Sequence, residues 1–484
     1  MKKIMNRVLA ATRSLVLTMA FCGATVFTSC SSDKDDNPAQ EQAKKNRKEF
    51  VAHTRATLKD LAENLNFSSW NAANELNTHF NEYVLNNPEF EKSVLTAFMQ
   101  KMLQSIKPVE EGSELAQMGF TMYATLDPTD SYHFTMNAEN TGFDIEEAED
   151  FEILLNAPDV EAGEWAPQAT KLSVKAVGNQ GFKMVLPSSQ KVGLAIVVLM
   201  PSEFQFAISF KIDDTWYDGF TGTFNIQPTA SAGSEYFQMG RNNWSVSGTV
   251  CSKELPIPDA AYQPDAATLT FSIANDRVHN TGNYAFSWEQ NGRKMFDLTM
   301  KQSRDASGGI ANLDLSQFSS SSSIFDVVAA WMATRRLDEA KLTLLDDLTT
   351  TLSVSDMQKA LQLQNEMASA RRNYADRQTI EAYTQQLNGL VKAEMTCKGV
   401  NQTIPMKLVT TKFGVDYWTM PAFNFADENG YVSFTDLLDP ESVQYGINII
   451  DHAAEPMQQS AIVVRQLLQY LQGLVSGFQQ SKSE

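Results

Sequence analysis

At 484 residues and 43% hydrophobic, the chain is long enough for two or three packed units, and its composition is not that of a disordered polypeptide. A formal net charge of -19 repels phosphate backbones and anionic headgroups, which argues against nucleic acid as a partner and against an electrostatic contact with a membrane. Four cysteines are too few for a disulfide framework.

The chain opens on a basic head, Lys2, Lys3, Arg7 and Arg13, and an apolar run from Leu15 to Phe27. That run is too short to span a bilayer but has the length of a secretory apolar segment. It ends in Phe27-Thr28-Ser29-Cys30. Two small residues before a cysteine resemble the lipobox of bacterial lipoproteins, with Phe27 where that family usually has leucine. The resemblance implies cleavage before Cys30 and acylation of its side chain, so that residues 1–29 are a signal peptide and 30–45 an anchor and tether. Cys22 follows the bulky Phe21 and fits less well. Lys34-Asp35-Asp36, just behind the cysteine, is similar to the Lys-acidic-acidic export signal that sends Bacteroidetes lipoproteins to the outer face of the outer membrane. It implies a lipid-anchored, surface-exposed protein whose contact with the membrane is the lipid itself. Read without the resemblance, the same residues are a secretory leader and a charged, solvated tether.

Removing residues 1–29 takes away four basic residues and no acidic one, so the exported body is more acidic still. Of the cysteines, Cys251 and Cys397 then remain, more than a hundred residues apart, and two buried thiols are expected rather than a bridge.

Behind the polar tether the period changes near Asn46. Phe50, Thr54, Thr57, Leu58, Leu61 and Leu65 fall three or four apart and predict an amphipathic helix. Asn87-Pro88-Glu89 supplies a cap, a first-turn proline and an acid for a second helix through Val94, Phe98 and Met102. Residues 46–110 thus read as helical.

From 111 to 318 the apolar period is two, which predicts an antiparallel, hairpin-connected region of roughly ten strands. Hairpins are expected at Asp127-Pro128-Thr129-Asp130, at Gly178-Asn179-Gln180-Gly181 between Leu172–Val177 and Phe182–Leu186, and at Pro201-Ser202-Glu203. The strongest signal is Asn291-Gly292, between Tyr284–Trp288 and Met295–Leu298, because both positions of a type I′ turn need positive φ. Leu194 to Met200, continuously apolar, is expected to be central and covered on both faces.

Ser319 to Ser323 marks a boundary, followed by a C-terminal α+β region, 319–484. Its helices are expected to start at Ser323 with Asp326, and at Ser355 with Gln358 for a pair joined near Arg371–Asn373. Strands from Glu394, Ile404 and Tyr417 then lead to a corner at Asp427-Glu428-Asn429-Gly430 and a helix capped by Asp439-Pro440. A final amphipathic helix carries Met457, Val464, Leu468, Leu471 and Phe478. The fold class is α+β, a β-rich centre flanked by N-terminal and C-terminal helices.

Chemistry is sparse. His53, His79, His133, His279 and His452 are scattered, with no pair at helical spacing, and there is no nucleophile elbow, phosphate-binding loop or dinucleotide fingerprint. No catalytic residue, metal ligand or cofactor is therefore assigned. Asp427 to Gly430 with Asp436 looks like half a calcium loop, but Phe425 stands where the first ligand belongs, so a turn is the better reading. The acidic run Asp144 to Asp150 reads as a solvated loop rather than an ion site. The binding candidates are the adjacent aromatic pairs Trp216-Tyr217 and Tyr417-Trp418, because strand neighbours point to opposite faces and one ring of each pair can be left for stacking. The function this supports is non-enzymatic capture or assembly of an extracellular glycan or protein. The rival readings are an anchored glycan hydrolase using two carboxylates, and a purely structural envelope lipoprotein.

Overall fold

The computed structural model describes residues 38–65, 103–303 and 336–449, apart from short internal stretches of which 252–266 is the longest. Cys30, the triplet Lys34-Asp35-Asp36, the helix expected through Val94, the run Ser319–Ser323 and the final helix from Met457 lie outside the described residues.

The first described element is α1, Pro38–Asn64. It starts eight residues before the expected position, so the second half of the tether is helical. Pro38 suits that start, because a first-turn residue has no intrahelical N–H bond to lose. Ala43, Asn46, Phe50, Thr54, Thr57, Leu58 and Leu61 form its buried stripe.

The described chain falls into two compact units. One holds residues 103–280, and the other joins α1 to 281–303 and 336–449.

In the first unit the elements are, in chain order, β1 (Lys107–Pro108), α2 (Glu114–Gln117), β2 (Met122–Leu126), β3 (Ser131–Met136), β4 (Phe143–Ala148), β5 (Phe151–Asp159), β6 (Glu164–Ala176), β7 (Gly181–Pro187), β8 (Leu194–Pro201), β9 (Glu203–Ile212), β10 (Thr215–Gln227), β11 (Tyr236–Phe237), β12 (Asn243–Cys251) and β13 (Ala267–Asp276). They form two arrays. Five strands run in the order β1-β2-β8-β7-β11, and eight in the order β13-β12-β10-β9-β6-β5-β3-β4. As expected, β8 is central and buried on both sides, with Leu194 and Ala195, then Val197 and Val198, all buried. Leu115 of α2 packs on Ala195 and Val197.

Three expected hairpins are corrected here. β2 pairs in parallel with β8 rather than with β3, β6 pairs with β9 rather than with β7, and β8 pairs with β7 rather than with β9. The chain therefore passes from one array to the other between β2 and β3, between β6 and β7, and between β8 and β9; the first two expected corners fall wholly or mostly outside the described residues. A turn sequence reports that the backbone reverses, not which strand edge it then meets. The pair β7–β8 is an excursion inserted between β6 and β9, which lie side by side.

The eight-strand array is apolar on one face. Phe134, Ile153 and Leu172 pack together there, and the face continues through Phe206, Phe220 and Phe271. Gly222 and Gly248 are required by these rings. A Cβ on Gly222 would stand 2.3 Å from Phe206 Cζ, and one on Gly248 2.8 Å from Phe271 Cζ. The acidic run beginning at Asp144 is not a loop but β4, whose exposed Asp144, Glu146 and Glu147 keep the open edge of the array charged.

The second unit contains β14 (Thr281–Gln290), β15 (Arg293–Ser303), β16 (Arg336–Leu344), β17 (Leu348–Val354), α3 (Met357–Arg372), α4 (Arg377–Leu390), β18 (Val391–Cys397), β19 (Val400–Phe413), β20 (Asp416–Asn424), β21 (Tyr431–Ser433) and α5 (Phe434–Leu437). Its strands pair in sequence order from β14 to β21, each antiparallel to the next. The Asn-Gly hairpin forms as expected, with φ of 51° at Asn291 and 72° at Gly292. The helix pair α3–α4 is an excursion between the neighbours β17 and β18. Its Leu363, Met367, Ile380 and Leu387 bury Leu337, Leu352 and Val354. The cap of α3 is Asp356, which accepts from the Lys359 amide at 2.8 Å, one residue past the expected Ser355. Ser355 instead donates to the Leu390 carbonyl. Asp439 caps the next helix as expected, accepting from the Ser442 amide at 2.8 Å. The fold is α+β and rich in strands.

Candidate functional site

Helix α1 binds the hairpin ends of this second sheet in succession. At 1.5 Å per residue its 27 residues span about 40 Å, and eight strands about 4.8 Å apart need roughly 34 Å, so one helix can reach from β21 to β14. At its start Lys44 pairs with Glu428 at 3.0 Å and Arg47 with Asp427 at 3.2 Å. The Asp427 side chain is fully buried and also accepts from the Asn429 amide at 3.0 Å. Its carboxylate is thus engaged in an ion pair and a turn. Phe50 then sits between Phe423 and Phe425, with both ring centroids 5.3 Å away. At the far end Arg293 donates to both oxygens of Asp60, at 2.9 and 2.5 Å, and Gln290 donates to the last-turn carbonyl of Asn64. The Arg293 hydrogen bond holds the Asp60 carboxyl below its usual range.

Midway along α1 is the one group of three His, Cys, Asp or Glu side chains within metal-binding distance among the described residues: His53, Asp347 and Cys397. Each comes from a different element. His53 projects from α1, Asp347 closes the turn between β16 and β17, and Cys397 ends β18. The turn is held by Leu345 and Asp346, both at φ 53°, and by the Lys398 amide donating to the Asp347 carbonyl at 3.0 Å. His53 Nδ1 lies 2.9 Å from Asp347 Oδ2, and Thr57, one turn further on, donates to that same oxygen at 3.1 Å. Cys397 Sγ is 3.8 Å from the other oxygen, Oδ1. Gly399, which follows Lys398, turns the chain beside the imidazole at φ 84°, a conformation that favours glycine.

Cys397 is a buried free thiol. Burial first, and then the charges of Asp347 and Glu49, push its pKa up to about 12. Burial and the neighbouring carboxylate disfavour the thiolate, which is the nucleophilic form, so this is not the setting of an activated cysteine.

The aromatic candidates are placed as follows. Trp216 is half-buried, on the side of β10 that faces Lys171 and Ser209. The Lys171 ammonium lies 4.7 Å above its ring and 3.6 Å from Glu152. The side chain of Tyr217 lies outside the described ones. Tyr417 packs against the core beneath α3 and α4, and the Arg371 guanidinium lies 3.8 Å over Trp418. The two pairs belong to different units.

The His53 group escaped sequence reading because His53 lies 294 residues before Asp347, and Cys397 a further 50 beyond it. A search for paired histidines at helical spacing cannot find one histidine completed by two hairpin ends. The chain matches no known protein family, no curated protein and no solved structure.

Proposed function

We propose that this chain is an outer-membrane lipoprotein displayed on the cell surface, where it captures or helps assemble an extracellular glycan or protein without catalysing a reaction. The observation that carries this reading is Phe27-Thr28-Ser29-Cys30 followed at once by Lys34-Asp35-Asp36. A secretory leader alone does not require a cysteine at its end, nor a basic-acidic-acidic triplet just behind it. Among the described residues no helix is long and apolar enough to cross a membrane, so the attachment in this reading is the lipid. The net charge makes a neutral glycan or a polypeptide a better guest than a polyanion.

Replacing Lys34, Asp35 and Asp36 together by alanine is expected to leave the protein lipidated but turned inward. Protease added to intact cells should then digest the parent and spare the variant, and equal digestion of both would remove the triplet's assigned role.

Trp216 supports the capture part of the reading. An indole on a polar strand face offers a stacking surface with a cationic donor, Lys171, against its ring. One such ring contributes only about 1 kcal/mol, so Trp216→Ala is expected to weaken binding to a neutral polysaccharide about fivefold. Affinity electrophoresis in gels cast with the polysaccharide measures this, and parent and variant migrating alike would exclude the ring from the site.

A further inference from the structure

We propose that His53, Asp347 and Cys397 form a binding site for a zinc-class divalent cation that clamps α1 to the ends of two hairpins. One ring nitrogen of His53, an Asp347 carboxylate oxygen and Cys397 Sγ all lie within 4.8 Å of one another. A tetrahedral zinc ion with bonds of about 2.0–2.3 Å holds its ligands about 3.3–3.8 Å apart. The separations found lie within about 1 Å of that spacing.

The donor set selects the ion. A thiolate and an imidazole favour zinc and its neighbours over magnesium or calcium, which take oxygen ligands. The surroundings also favour a cation. Glu49 lies one turn before His53 on α1, and its charge and that of Asp347 both act on the thiol. Nearby negative charge favours a cation, and a metal ion that binds the sulfur displaces its proton. Thr57, through its 3.1 Å bond to Asp347 Oδ2, orients the carboxylate as outer hydroxyls do in metal sites. Three protein ligands leave a fourth position for water, and the His53 side chain is partly exposed. None of this depends on the membrane anchor or on a captured ligand.

Cobalt(II) is the probe, because its bond to a thiolate gives a charge-transfer absorption that zinc lacks. Titrating metal-stripped full-length protein with cobalt chloride should give this band, saturating at one ion per chain. Cys397→Ser should abolish the band, and Cys251→Ser should keep it. His53→Gln should weaken cobalt binding by more than the ~10-fold that even outer residues can cost. Zinc should raise the thermal midpoint of the parent and of Cys251→Ser, but not that of Cys397→Ser. If Cys397→Ser does not fold, His53→Gln decides alone, since that ring is partly exposed and its loss opens no large cavity. No band in the parent, a band that survives Cys397→Ser, or unchanged affinity in His53→Gln would overturn the site and leave the three residues as a hydrogen-bonded clamp.

Discussion

Cys30→Ala is expected to move the protein from the membrane fraction to the soluble fraction. Each buried methylene of an acyl chain contributes about 0.8 kcal/mol, so one chain binds marginally and two or three hold almost irreversibly. The polypeptide has little to replace them with. Its net charge is -19, which repels anionic headgroups, and no described helix is long and apolar enough to span. Loss of the lipid should therefore be close to all-or-none. Separating cells into soluble and sedimenting fractions, with a salt wash to remove loosely held protein, measures it. A variant that sediments like the parent would remove the lipobox assignment and with it the anchored part of the proposed function.

Phe50→Ala is expected to cost about 3–5 kcal/mol of stability in the unit that contains the C-terminal strands. The side chain is 0% exposed and wedged between two phenylalanines from the β20 end of the sheet. Truncation removes the apolar transfer energy and leaves a cavity that a helix held at both ends by ion pairs cannot collapse to fill. For a unit of this size the midpoint of thermal unfolding should fall by roughly 6–20 °C. Lys48→Ala, exposed two residues earlier on the same helix, should change stability by less than about 0.5 kcal/mol. If the two variants melt alike, α1 is an appendage and not part of that core.

Much of the local structure was legible because it is decided by neighbours in the chain. The buried stripe of α1 from Phe50 to Leu61 follows from the helical period, the β14–β15 hairpin from the positive φ that Asn291 and Gly292 accept, and the helix start at Pro440 from Asp439. The central place of β8 followed from its unbroken apolar run, since only a strand covered on both faces can be apolar at every position. The α+β class follows from these periods together.

Partner choice was not legible. The turn residues before β3, β7 and β9 are good turn residues, yet none of these strands pairs with the strand that precedes it in sequence. Backbone hydrogen bonds between strands are the same whatever the side chains. The choice of edge therefore rests on which apolar faces can be buried together, and that is a property of the whole unit. The same limit hid the candidate metal site. His53, Asp347 and Cys397 carry no mutual spacing in the sequence; they meet because α1 is long enough to cross the sheet and because the turns at Asp347 and Gly399 end on the same side. The sequence by itself determined the periods, caps and turns, and by resemblance an address. The tertiary structure decided which strands pair and which side chains share a site, because those outcomes depend on burial summed over residues far apart in the chain.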